Sequence, residues 1–276
     1  MDHIVDNSGL HDLPGGFSKV VGSLFLAAFA IYGTGSAIVE QYVSATGGGA
    51  KTTPDTTFVV GCLLMLANSL VVLMIGILLA LAVWKSSVNG VSRPPAQGQG
   101  SLHAPLPPSS SSAPALAAVT DLVPPMVYVF ARFLEAILLG FGAVCLLGVE
   151  SLFGPASSHS GQDKATLILL LTSWNFFCYQ LGMLVCGGGS ATLFWYLRTS
   201  SNFLLPVSFA TFACASYALL AVGAACEILR VFPGVGLWLS APGAVFEIAF
   251  AMRLLTNGLK IEVADGRYSV VACATD

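Results

Sequence analysis

The stretch Phe58–Trp84, FVVGCLLMLANSLVVLMIGILLALAVW, decides the fold. It holds no charged residue and exceeds the roughly 20 apolar residues that one bilayer crossing needs. In hydrocarbon a backbone must satisfy its own hydrogen bonds, and the run lacks the period of two that a barrel strand shows. A transmembrane α-helix is the resulting expectation.

Five further runs repeat the pattern outward from it. Val20–Val39 lies between Lys19 and Glu40. The third begins near Pro125 and ends near Val149. The fourth lies between Lys164 and Arg198. The fifth runs from about Phe203 to Cys226, and the sixth from between Gly236 and Pro242 to near Leu259. The fold class expected is an all-α polytopic bundle of six transmembrane helices. Composition agrees: 55% of residues are hydrophobic, 9% are charged, and mean hydropathy is +0.82. A soluble domain carries about 25% charged residues, so most of this surface must face lipid.

Residues 1–16 read as a polar, acidic N-terminal tail without the basic region of a signal peptide. Residues 17–85 hold the first two helices. Residues 86–124 carry Pro94, Pro95, Pro105, Pro107, Pro108 and Pro114 and the serine run Ser109–Ser112, which predicts a disordered loop acting as a linker, or as a docking or phosphorylation segment. Residues 125–260 hold helices three to six, and 261–276 form a C-terminal tail. Internal repeats are weak: the charges of the third segment have only a loose echo in the sixth.

Basic residues set the expected orientation. Six spans place Lys19, Lys85, Arg93, Arg198, Lys260 and Arg267 on the side of both termini, against Lys51, Lys164 and Arg230 opposite. The majority puts both termini in the cytoplasm. Whether the membrane is the plasma membrane or an organelle's is left open.

Four ionisable residues lie inside predicted spans: Arg132 and Glu135 in the third, Glu247 and Arg253 in the sixth. Each costs about 2.5–3.5 kcal/mol at a helix centre, so pairing is expected. Arg132 lies seven residues after Pro125 and Arg253 seven before Lys260, each about 10 Å from the same membrane face. Matched depth predicts a cluster in which Arg253 reaches Glu135 and Arg132 reaches Glu247. Such a cluster serves either to fix helix register or as a proton or substrate site. A second candidate is a polar face on the fourth helix, formed by Trp174, Asn175, Tyr179 and Gln180. It would line a pocket or supply interhelical hydrogen bonds. Gly187–Gly189 in that span would permit close approach or a kink.

Other chemistry finds little support. His3, His11, His103 and His159 all fall in predicted loops or tails, so neither an axial haem ligand nor a His/carboxylate metal cluster is expected, and no cofactor is assigned. Six of the seven cysteines lie in apolar runs and read as buried thiols. A net charge of −3 without a basic block argues against nucleic acid. Membrane lipids and other membrane proteins are the expected partners. Catalytic signatures such as HExxH or a Ser/His/Asp set are missing from the sequence, so an enzyme is not favoured. Trp84, Trp195 and Trp238 near span ends fit an interfacial belt.

Several stretches, taken in order, resemble a family of six-helix integral membrane proteins, the domain-of-unknown-function family 4386. They are Gly22–Ser36 with Leu24, Phe25, Tyr32 and Gly35, then Arg132–Phe133–Leu134–Glu135–Ala136, then Trp174–Pro206, and Pro242–Gly258 with Glu247. Arg253 stands where the family shows an aromatic, and Asn257 where it often has a lysine. The resemblance implies a six-helix bundle and no known activity. Three readings follow: a structural or regulatory membrane component, in the lead; a small transporter or channel using the buried charges; and a lipid-modifying enzyme.

Overall fold

The computed structural model describes residues 15–47, 56–91, 113–152, 161–199, 203–204, 206–257, 260–264 and 267–271. Six helices, α1 (Gly15–Gly47), α2 (Thr56–Val91), α3 (Ala113–Ser151), α4 (Gly161–Thr199), α5 (Val207–Leu229) and α6 (Val235–Thr256), are all long and apolar enough to cross a membrane. Along α2 the exposed side chains Leu63, Leu70, Met74, Ile77 and Leu81 recur at helical spacing, and the buried ones, Cys62, Met65, Asn68, Val72 and Ile75, occupy the other face. Between Phe58 and Ala82 the outward stripe is apolar and the polar residues Asn68 and Ser69 face inward, the reverse of a soluble amphipathic helix.

Each helix packs against its neighbours in sequence, and α6 closes on α1, so the six form a ring. Bilayer lipid offers no hydrophobic gain for bringing two helices together, so close backbone approach and van der Waals contact must supply the attraction. Small residues provide it. A side-chain carbon on Gly22 of α1 would lie 2.8 Å from the carbonyl oxygen of Ala251 in α6. One on Gly187 of α4 would lie 2.7 Å from the carbonyl oxygen of Tyr217 and 2.8 Å from the amide of Ala221, both α5 backbone. Neighbouring Gly188 meets nothing within 4 Å. The glycine run thus gives close approach, within a helix continuous from Gly161 to Thr199. Gly187→Ala should therefore lower stability by about 1–3 kcal/mol through forced separation of α4 and α5, and Gly188→Ala should be neutral. Melting temperatures in detergent check the contrast; equal values for the two variants would refute the packing assigned to Gly187.

Helix ends differ from the sequence expectations in three places. The fifth helix starts at Val207, not Phe203, because Pro206 occupies its N-cap and the residue before a proline avoids helical geometry. The carbonyl of Pro206 accepts from Phe209 at 2.8 Å and Ala210 at 3.0 Å, which opens the helix. Phe203–Leu204 instead form a short strand, β1. The region expected as a C-terminal tail holds β2 (Lys260–Ala264) and β3 (Arg267–Val271). They pair antiparallel, β1 joins β3 in parallel, and the sheet order is β1-β3-β2. Asp265 and Gly266, between β2 and β3 in sequence, are the residue pair that two-residue hairpins prefer. Finally, α2 runs to Val91 and α3 back to Ala113, through Pro124 and Pro125, so both helices enter the segment expected as a loop. The rest of that loop, 92–112, and the tail 1–14 lie outside the described residues.

The α5–α6 connection is a tight hairpin. Arg230 adopts φ 53° and Gly234 φ 89°. The Glu227 side chain of α5 accepts a 2.9 Å hydrogen bond from the Gly236 amide, satisfying one free donor at the start of α6.

Two apolar clusters pack at different depths. One, nearer the termini, joins Val21 and Phe25 of α1 with Phe194, Tyr217, Phe246, Phe250 and Leu254 from α4, α5 and α6. The other, toward the opposite face, joins Val39, Tyr42, Phe58, Cys62 and Leu146 from α1, α2 and α3.

Candidate binding chamber

Between the two clusters lies a cavity of about 170 Å³, and residues from all six helices line it. One water needs only about 10–15 Å³ on a comparable measure, so this space suits several waters or a small organic molecule. Its charged lining residues are Arg132, Glu135 and Glu247.

Arg132 organises the polar wall. Its Nη1 donates to Glu135 Oε2 at 3.0 Å, one helical turn on in α3, and its Nη2 to Glu247 Oε1 of α6 at 3.1 Å. Its Nε donates to the Tyr128 hydroxyl at 3.2 Å. The Tyr217 hydroxyl of α5 donates to Glu247 Oε1 at 2.7 Å and accepts from Arg132 Nη2 at 3.4 Å. A fork of donors fixed in one plane explains why an arginine, rather than a lysine, sits here. The Arg132 and Glu135 side chains are 4% exposed and Glu247 is 19% exposed.

Depth follows from the helix rise. Arg132 lies ten residues into the span that starts at Leu122, and Glu247 nine residues before Thr256, the end on the same face. Both positions are about 14–15 Å deep, close to the midplane of a hydrocarbon layer about 30 Å thick. Arg253 is six residues, or about 9 Å, nearer the surface. That displacement corrects the expected pairing of Arg253 with Glu135. Glu135 takes its ion pair from Arg132 of its own helix, and Arg253 lies over the Phe209 ring, 5.7 Å from its centroid. A second correction concerns how α3 and α6 meet. They occupy opposite sides of the ring, and the long Arg132 side chain, rather than a helix–helix contact, spans from one to the other.

The expected polar face on α4 does not form as a unit. Five residues turn a helix by about 140°, so Trp174 and Tyr179 point apart. Trp174 is 51% exposed and meets the edge of Phe141. Asn175 packs at the seam with α3, against Gly142, and Gln180 is half-buried outside the chamber lining. Tyr179 alone of the four lines the chamber, its ring stacked on Tyr32 of α1 at 5.6 Å and 12°.

Sequence reasoning did not single out Tyr128, Tyr217 or Cys186, all part of this wall or its hydrogen bonds. A signal existed for Tyr217. Membrane tyrosines favour the interface, so one ten residues inside an apolar helix needs a buried partner for its hydroxyl. Asn68 of α2, 4% exposed, also lines the chamber, and its Oδ1 has no hydrogen-bond partner in the structure.

No curated protein and no solved structure matches the chain. One family model does, over residues 124–258, which takes in the membrane-crossing part of α3 and all of α4, α5 and α6. Arg132, Glu135, Tyr179, Tyr217 and Glu247 all fall within that match. The chain is a multi-pass membrane protein of six helices, and its residues 124–258 match the model of a domain of unknown function, DUF4386.

Proposed function

We propose that this protein binds a small solute in its central chamber and moves it across the membrane. One observation carries the reading: the Arg132–Glu135–Glu247 cluster borders a cavity instead of filling a dry helix contact. A purely structural ion pair gains most when apolar packing excludes all space around it, since any gap forfeits contacts without relieving desolvation. Midplane depth also favours transport, because solute sites of transporters sit there, between two barriers. The aromatic cluster of Phe194, Phe246 and Phe250 supplies one barrier, toward the termini. On the opposite face the second cluster draws on α1–α4, and a further cavity of about 370 Å³ lies beside Thr172, Phe176, Glu227 and Arg230. That end of α4 and α5 is the entry the reading favours. The count of basic residues supports an orientation with both termini in the cytoplasm.

The test is uptake into liposomes containing the purified protein, using labelled panels of small amines, alcohols and carboxylates. Saturable uptake above protein-free liposomes, lowered in Glu247→Gln, is the expected result. Absence of uptake for every class, by protein that remains folded, would instead favour a structural or regulatory role.

A further inference from the structure

We propose that the chamber selects a small monocation with an ammonium head and a short apolar body; this rests on the solute-binding reading above. The first argument is charge. Two carboxylates and one guanidinium give −2 + 1 = −1 among the charged residues of the lining. A lone negative charge near the bilayer midplane is costly, and a bound cation removes the cost. An anionic solute would add to the excess.

The second argument is independent of charge. Asn68 Oδ1 is a buried acceptor that lacks a donor. An orphaned acceptor of this kind is destabilising until a donor arrives. An ammonium group offers up to three N–H donors and no acceptor. It can therefore meet Asn68 Oδ1 and a carboxylate together, whereas a carboxylate or ether solute brings no donor. The Glu247 side chain, 19% exposed on the chamber, is the accessible anionic partner.

The third argument is shape. The chamber lining also includes Phe25, Val72 and Ile75, which suit a hydrocarbon body. A bare metal cation is the poorer fit, since sodium-like or calcium-like ions call for several converging oxygens and gain nothing from an apolar wall.

The experiment measures binding by calorimetry, with the full chain in lipid nanodiscs and three probes of one body: n-butylammonium, n-butanol and butyrate. Butylammonium should bind saturably and at least tenfold more tightly than the other two. Asn68→Ala should weaken it about tenfold, the loss of roughly one hydrogen bond to a charged group. Glu247→Gln should erase the preference for amine over alcohol. Should Glu247→Gln not fold, the probe ranking in the unaltered protein and the Asn68→Ala result decide the matter. Butanol binding as tightly as butylammonium would overturn the proposal: the excess charge would then be held by a proton only, and solute transport would stand. If none of the three binds and the uptake panel is also negative, both readings fall.

Discussion

Arg132→Met should lower the stability of the folded protein by about 3–5 kcal/mol, the usual cost of removing one partner from a buried ion pair. The reason is specific to this arrangement. Arg132 donates to both Glu135 and Glu247, so its loss leaves two carboxylates at the membrane centre with no cation between them. Tyr217 keeps its 2.7 Å bond to Glu247 but brings no charge. The same logic predicts a rescue. Adding Glu135→Gln and Glu247→Gln to Arg132→Met removes every charge from the chamber, and the triple variant should recover most of the lost stability. Thermal melting in mild detergent, with size-exclusion profiles as a check on folding, reads both effects. If Arg132→Met melts within a degree or two of the unaltered protein, the central role given to this arginine is wrong.

The second large effect is expected at Phe246. Its side chain is fully buried, with ring centroids of Phe194 and Phe209 each at 5.0 Å and Phe250 at 5.7 Å. Phe246→Ala should cost about 3–5 kcal/mol. In a bilayer the solvent is itself apolar, so lost ring contacts and the cavity left behind account for that figure, not transfer from water. This distinction gives a control. Leu237, 76% exposed in the same helix, touches few protein atoms, and Leu237→Ala should be close to neutral. The cluster also forms the proposed barrier toward the termini, so Phe246→Ala should raise passive leak of small solutes through liposomes. Similar melting for the two variants would show that protein packing contributes little at this level of the ring.

Much of the fold was legible in the chain before any coordinates. A helix in hydrocarbon satisfies all its own backbone groups, so an uncharged run such as Phe58–Trp84 has one outcome whatever its neighbours do. Six runs gave six helices. The ends were less legible. Pro206 set the start of α5 at Val207, four residues past the expected Phe203, and the Asp265–Gly266 pair carried a hairpin signal that hydropathy passes over.

Within the site, the charge rule picked out Arg132, Glu135 and Glu247, which the structure brings together, because an unpaired charge at that depth is unsustainable. It erred on Arg253, since distance from a loop residue is a poor ruler when a helix runs past the assumed boundary. Tyr217 and Asn68 carried no charge and attracted little weight, although one anchors Glu247 and the other presents an unmet acceptor.

What the sequence determined by itself, then, is that six apolar helices span a membrane and that the third and sixth bring charges which must neutralise each other. Both follow from the energetics of single segments in lipid, which need no knowledge of their neighbours. Tertiary structure decided that the helices close into a ring, with α3 and α6 facing across its centre. It also decided that the ion pairs border a chamber shared by all six helices. Those outcomes depend on which small residues let which backbones touch, as at Gly22 and Gly187, and that complementarity exists only between segments far apart in the chain.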